Sequence, residues 1–244
     1  MNARTCLYSN GSRTGRTYRA GTRVADSVKI KHDKGVTVGH MLRAYAAGVF
    51  PMAKSREDPR VHWVDPQERG IIPLSGFHIS RSLGRRLRRL DYRIVVNGDF
   101  EGVVDACADR EETWINDRIL TLYRQLHRHG HAHSLEVWRE SQLAGGVYGI
   151  TLGGAFFGES MFSRLTDGSK IALAYLVDHL RRTGFRLFDT QFVTPHLASL
   201  GCIGISRNAY HALLRDALRE NANFLSLPVE LDPYGIIHRN THTS

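Results

Sequence analysis

The sequence predicts an α+β fold, in which a small N-terminal domain precedes a larger domain built on a meander of strands. Two observations lead there. Residues 134–139, 143–152 and 155–160 have strand character, and the connections Glu140-Ser141-Gln142 and Gly153-Gly154 are hairpin-sized, so the three strands run antiparallel. Downstream the rhythm changes to a helix over 169–182, a strand over 185–189, a short helix near 195–199 and a last helix over 207–220 capped by Ser206. Consecutive strands followed by helices, without strict alternation, mark an α+β chain.

The elements follow in order. Residues 1–36 are rich in Arg, Ser, Thr and Gly, lack apolar periodicity, and read as a disordered basic head. Residues 37–98 form the small domain. Thr37 caps a helix over 38–47 that Gly48 ends. Phe50-Pro51-Met52 reads as a Pro-bounded loop. A helix over 80–90 carries Ile79, Leu83, Leu87 and Leu90 as one apolar stripe, with Arg81, Arg85, Arg88 and Arg89 on the opposite face. Residues 92–97 alternate like a strand. The larger domain, 99–220, begins with helices over 100–108 and 117–129, the second capped by Asn116 and ended by Gly130. Residues 221–244 read as a weakly ordered tail. Three meandering strands, a helix, a strand and a helix is the order found in acyltransferases of the acetyltransferase-like (acyl-CoA N-acyltransferase, GNAT-type) fold.

Composition narrows the function. The 244 residues carry a net charge of +9, from 33 basic and 24 acidic side chains. Residues 1–35 hold eight Lys/Arg and two Asp, so the rest is nearly balanced and any polyanion site is a local patch. No apolar run approaches the roughly 20 residues of a membrane span. Cys6, Cys107 and Cys202 form no CxxC pair, which points to a reducing cytoplasm rather than a disulfide framework.

Four motifs bear on chemistry. The helix over 80–90 has five Arg between Phe77 and Leu90 and no acid, a pattern suited to phosphate, although a solvated face is the plain alternative. His127, His129, His131 and His133 cluster, but no accompanying set has metal-ligand spacing, so no metal is expected. Glu159 sits in a very apolar strand, where an unpaired carboxylate is expensive. It needs either a structural partner such as Arg164 or a task. Asp189 and Gln191 are two apart at a strand end, so their side chains could share a side and the acid could orient the amide, unless both serve turn chemistry. Residues 163–170 contain one Gly, which poorly supports the pyrophosphate-cradling turn of an acetyl-CoA enzyme.

These residues lie in stretches that resemble the bacterial leucyl/phenylalanyl-tRNA–protein transferases (L/F-transferases). The matches run from about Tyr45 to Leu218 and include Gly48-Val49-Phe50-Pro51, Phe77-His78-Ile79-Ser80-Arg81-Ser82, Glu111-Glu112-Thr113-Trp114-Ile115, Phe157-Gly158-Glu159-Ser160-Met161-Phe162-Ser163-Arg164 and Asp189-Thr190-Gln191. The resemblance implies a cytoplasmic, monomeric aminoacyltransferase with an acetyltransferase-like domain and neither cofactor nor metal. Its donors are Leu-tRNA and Phe-tRNA, and possible donors include Met-tRNA. Its acceptors are proteins with N-terminal Arg or Lys, and the product is an N-end rule degradation signal. By matched position it implies that Asp189, Gln191 and Glu159 are catalytic, and that Val147, Phe156, Met161 and Leu173 line the amino-acid pocket. Trp114 and Met52 would hold the terminal adenosine, and Arg81, Arg85, Arg88 and Arg89 the tRNA. Met52 stands where the family often has Trp, and Val147 where Met is common. The chemistry expected is aminolysis of an ester, with Asp189 orienting Gln191, Gln191 holding the incoming amine, and Asp189, Glu159 or the leaving ribose hydroxyl taking the proton onward.

Overall fold

The computed structural model describes residues 35–110 and 115–241. The expected basic head lies outside these residues apart from its last two positions, as do Glu111, Glu112 and Trp114.

Helix α1 (Val38–Ala46) starts from Thr37, whose hydroxyl accepts the His40 N–H while the His40 ring bonds the Thr37 N–H, a reciprocal capping box. The segment expected as a loop is instead strand β1 (Phe50–Met52), paired antiparallel with β2 (His62–Val64). A proline is tolerated there because a two-stranded ribbon has a free edge for the missing N–H. Strand β3 (Glu68–Ile71) has no counterpart in the sequence reading. Helix α2 (Arg81–Leu87) is capped by Ser80 and stops a turn earlier than its apolar spacing predicts. Leu90 turns left-handed (φ 52°) and is exposed, and the Tyr92 hydroxyl donates to the Leu87 carbonyl, closing the helix end.

Strand β4 (Arg93–Val96), α3 (Phe100–Ala108), α4 (Asp117–Arg128), β5 (Ala132–Arg139), β6 (Gln142–Leu152), β7 (Ala155–Ser163), α5 (Gly168–Arg182) and β8 (Leu187–Gln191) follow close to their predicted positions. Then come α6 (Pro195–Ala198), an unpredicted β9 (Ile203–Ser206), α7 (Arg207–Ala217) and α8 (Pro233–Thr241).

One seven-stranded sheet in the order β4-β5-β6-β7-β8-β3-β9 holds the described residues together. Every neighbouring pair is antiparallel except β7 and β8, which are parallel. Strands β3 and β4 come from residues 37–98, so the sheet crosses the boundary expected at residue 98. The molecule is a mixed α/β protein in which the N-terminal segment supplies strands to the larger unit. One sheet face is covered by α1, α3, α4 and α7 around Tyr45, Phe100, Ile119, Tyr148 and Tyr210. The other carries α2, α5 and α8 around Leu83, Leu87, Phe156, Leu176 and Ile236. Alternate residues of β6 and β7 feed the two cores, Tyr148 and Phe157 one way, Val147 and Phe156 the other.

The weakly ordered tail expected over 221–244 is corrected for its described part. Phe224 is buried, its ring stacked on His133 with centroids 4.6 Å apart, and its carbonyl meets His179 Nε2 at 2.7 Å. Ile236 is fully buried, and Arg239 binds both carboxylate oxygens of Asp178 on α5. Single apolar residues filling single holes leave no periodic signal, which is why the sequence did not disclose this packing.

Candidate active site

Strands β7 and β8 pair from Ala155↔Leu187 to Phe157↔Asp189 and then part. Beyond that point β7 continues to Ser163 and β8 to Gln191, and the gap between them is a cleft of about 1080 Å³. Phe50 and Met52 on β1, Glu159 and Met161 on β7, Leu173 on α5 and Gln191 on β8 all face it.

A bulge places Glu159. Tyr148 pairs with Ser160 and Gly149 with Gly158, so Glu159 has no partner across the ladder. Glycine at 149 is required, because a Cβ there would lie 2.3 Å from the Phe157 carbonyl oxygen. The Glu159 carboxylate accepts the Tyr45 hydroxyl at 2.7 Å and the Tyr123 hydroxyl at 2.5 Å. Burial pushes its pKa up to about 7. The two tyrosine bonds pull down, the Asp189 charge adds to the rise, and Arg69 opposes it. The pairing with Arg164 weighed from sequence does not occur, since Arg164 lies over the Phe162 ring on the cleft wall.

Asp189 has a different surrounding. It is fully buried, takes Arg69 Nε at 2.9 Å and Nη2 at 2.6 Å, and accepts the Tyr210 hydroxyl at 2.8 Å. Its Oδ1 also accepts the main-chain N–H of Gln191 at 2.8 Å. The expected contact with the Gln191 side chain is therefore replaced by one with its backbone. Gln191 is left-handed (φ 58°), which breaks the strand alternation that the two-residue spacing assumed. Asp189 is not on the cleft wall, and its oxygens are taken up by these four bonds, so it is badly placed to accept a substrate proton. Gln191 does face the cleft, and its Nε2 is buried without a hydrogen-bond partner among the described residues.

Of the four expected pocket residues, Val147, Met161 and Leu173 face the cleft. Phe156 stands behind it, edge-on to Phe188 with centroids 5.4 Å apart, and Phe188 makes the wall in its place. Met52 is on the wall, whereas Trp114 lies outside the described residues. Arg81 and Arg85 on α2 and Arg88 and Arg89 just past its end are exposed, away from the cleft lining, and none pairs with a carboxylate among the described residues. Arg88 rests 5.7 Å from the Tyr234 ring. The remaining arginine of the run, Arg86, pairs with Asp91. The histidine cluster is taken up partly in packing. His127 stacks on Phe100 at 4.0 Å, and His133 bonds Asn97, burial pushing its pKa down to about 4.

Sequence reasoning missed Arg69, Tyr45, Tyr123 and Tyr210, which hold the two carboxylates. Each lies outside the acid motifs, and only an expensive buried charge signals that such partners must exist.

The class defined by this fold and site is a mixed α/β protein whose sheet parts into a cleft with an apolar wall, a carboxylate of near-neutral pKa and an amide nitrogen without a partner among the described residues. The model of the leucyl/phenylalanyl-tRNA protein transferase family matches residues 71–215, and that of its N-terminal domain residues 36–67. A leucyl/phenylalanyl-tRNA–protein transferase of Cereibacter sphaeroides is 63% identical over 84% of this chain and 95% of its own length. One of Ruegeria sp. (strain TM1040) is 63% identical over 84% and 97%. Among solved structures, L-PGS from Bacillus licheniformis superposes with a TM-score of 0.36 at 17% identity, covering 62% of this chain and 51% of that one, a likeness too slight to carry an argument. The chain belongs to the leucyl/phenylalanyl-tRNA–protein transferase family, a family of aminoacyltransferases.

Proposed function

We propose that this protein moves leucine or phenylalanine from aminoacyl-tRNA to the α-amine of proteins that begin with Arg or Lys, creating an N-terminal degradation signal. Family membership supports the reaction, and the observation that carries it to this chain is that Glu159 and Gln191 flank one cleft with an apolar wall. Val147, Met161, Leu173 and Phe188 suit an uncharged side chain, which a charged donor could enter only at a desolvation cost. A methylene more or less in such a pocket is worth about 1–3 kcal/mol, so methionine is a third donor. Met52, beside Phe50, packs on the terminal adenosine, with Trp114 as its companion. Arg81, Arg85, Arg88 and Arg89 meet tRNA phosphates.

The acceptor's α-amine, of ordinary pKa about 8, attacks the ester carbonyl. A C–N bond forms, the C–O bond to the ribose breaks, and the amine's proton ends on the ribose oxygen. Gln191 aligns the amine, and a neutral amide cannot keep the proton. Glu159, with a pKa of about 7, is suited to relay it, or the leaving hydroxyl takes it directly. Because the ester is already activated, alignment supplies much of the acceleration and no cofactor is needed. The larger unit is read as acetyltransferase-like, supported by the β5–β7 meander, α5 and a β8 that runs parallel to β7 before parting from it. The site of action is the cytoplasm and the working form a monomer. None of the described helices is long and apolar enough to cross a membrane.

The test is transfer of radiolabelled Leu and Phe, separately, from charged tRNA to a peptide starting with Arg, with Gly- and Asp-initiated peptides as controls. Transfer to the Arg peptide alone is expected. Transfer to the Asp peptide would overturn the acceptor, and no transfer with tRNA binding intact would overturn the reaction.

A further inference from the structure

Arg69 lies on β3 with 1% of its surface exposed. Besides its two bonds to Asp189, it donates through Nη1 to the Gly48 carbonyl at 2.9 Å and through Nη2 to the Tyr210 hydroxyl at 3.1 Å. Its guanidinium carbon is 4.5 Å from the centroid of Phe50 and 4.2 Å from that of Tyr210. It therefore joins the end of α1, the β1 wall of the cleft, β8 and α7.

The wall it supports is strained. A left-handed conformation at a residue with a Cβ costs about 1–2 kcal/mol and persists only where its surroundings hold it. At Gln191 the hold is Asp189 Oδ1 on its N–H, the ladder pairing with Gly70, and a Phe192 N–H that meets the Thr190 carbonyl at 2.6 Å. Strand β3 lies so close on this turn that a Cβ on Gly70 would sit 2.5 Å from the Phe192 carbonyl carbon. Asp189 can grip Gln191 only while its own oxygens are fixed, and Arg69 fixes both.

We propose that Arg69 is a positioning residue for the transfer step: through Asp189 it holds the left-handed turn that aims Gln191 into the cleft, and through Gly48 and Phe50 it fixes the facing wall. This rests on the transferase reading given above. A lysine cannot replace it, because one ammonium cannot span both carboxylate oxygens and the Gly48 carbonyl, or lie flat between two rings.

The experiment compares kcat, donor KM and melting temperature for wild type, Arg69→Lys, the charge-neutral pair Arg69→Met with Asp189→Asn, and Gly70→Ala. Rates are taken well below each variant's melting temperature. Misplacement of a reacting group by about 1 Å costs on the order of 10²-fold, so kcat is expected to fall about 10²-fold in the neutral pair, with donor KM within about 2-fold of wild type. Arg69→Lys is expected to lose about 10-fold in kcat, again with KM little changed. Gly70→Ala, which alters no charge, is expected to lower kcat in the same way. A merely structural Arg69 would lower the melting temperature and leave kcat intact. Wild-type kcat in any folded Arg69 variant, or a loss confined to KM, overturns the proposal. If the neutral pair does not fold, Arg69→Lys decides. Failure of the wild-type protein to transfer Leu or Phe to the Arg peptide overturns the transferase reading, and this proposal with it. Wild-type transfer with unaffected variants overturns this proposal alone.

Discussion

Glu159 on β7 and Asp189 on β8 are both buried acids on neighbouring parallel strands, yet their surroundings differ in kind. Asp189 meets a guanidinium that takes both of its oxygens, a tyrosine and a backbone N–H, and lies behind the cleft wall. Among the described residues Glu159 bonds two tyrosine hydroxyls and no cation, and it lies on the wall, where burial raises its pKa to about 7. A buried carboxylate with a cation becomes a fixed part of the frame. One with neutral donors keeps a proton equilibrium within reach of neutral pH. The difference separates the residue that can exchange a proton from the one that holds geometry.

The largest effect is expected from breaking the charged pair. Asp189→Ala leaves the Arg69 guanidinium buried with no counter-charge and should destabilise the protein by about 3–5 kcal/mol in urea unfolding. A cost below about 1 kcal/mol would mean that the guanidinium finds water or another acid, and the contrast with Glu159 would collapse.

The next effect is a pH dependence at Glu159. Its folded pKa of about 7 lies above the ordinary value of 4.5, so the folded state holds a proton that the unfolded state has already lost. Stability from this group is full below pH about 4.5 and is lost as pH rises to about 7, a fall of about 3 kcal/mol. Glu159→Gln removes that slope, so the difference between wild type and variant should grow in the variant's favour from pH 5 to pH 8. A difference that stays flat, measured by urea unfolding across that range, would show that Glu159 does not titrate there.

The same contrast separates what was legible in the sequence from what was not. Caps and glycines located α1 and α4, and a costly acid in an apolar strand marked Glu159. The Asp189–Gln191 spacing pointed to a coupled pair, but spacing assumes an extended backbone, and the left-handed Gln191 moves the contact from side chain to main chain. The partners were not legible. Tyr45 and Tyr123 come from α1 and α4, and Arg69 from a four-residue strand whose place between β8 and β9 is set by long-range pairing. Nothing local records that order. Phe156 was misplaced for a similar reason. It shares a core with Val147 and Leu173, but it lies where β7 and β8 are still paired, and where they part depends on long-range pairing.

The smallest effect comes from removing one tyrosine hydroxyl on each side. Tyr210→Phe leaves both Asp189 oxygens on the guanidinium but removes the hydroxyl's bond to the ion-paired Oδ2 and the one it accepts from Arg69 Nη2, so the cost should be about 1.5–3 kcal/mol and should not follow the Glu159 titration. Tyr123→Phe leaves Glu159 Oε2 with no donor among the described residues. Because that bond favours the charged form, its loss should move the Glu159 titration above pH 7 and extend the falling limb of stability to higher pH. At pH 5, where Glu159 is largely protonated, Tyr123→Phe should cost about 1 kcal/mol, the worth of a bond to a neutral group, and less than Tyr210→Phe. At pH 8 Tyr123→Phe should cost about 1 kcal/mol more than it does at pH 5, since a bond to a charged oxygen is worth about 1.5–3 kcal/mol, while the cost of Tyr210→Phe stays level. A Tyr123→Phe cost that is the same at both pH values would place a second donor on Oε2 and make the two carboxylates alike after all.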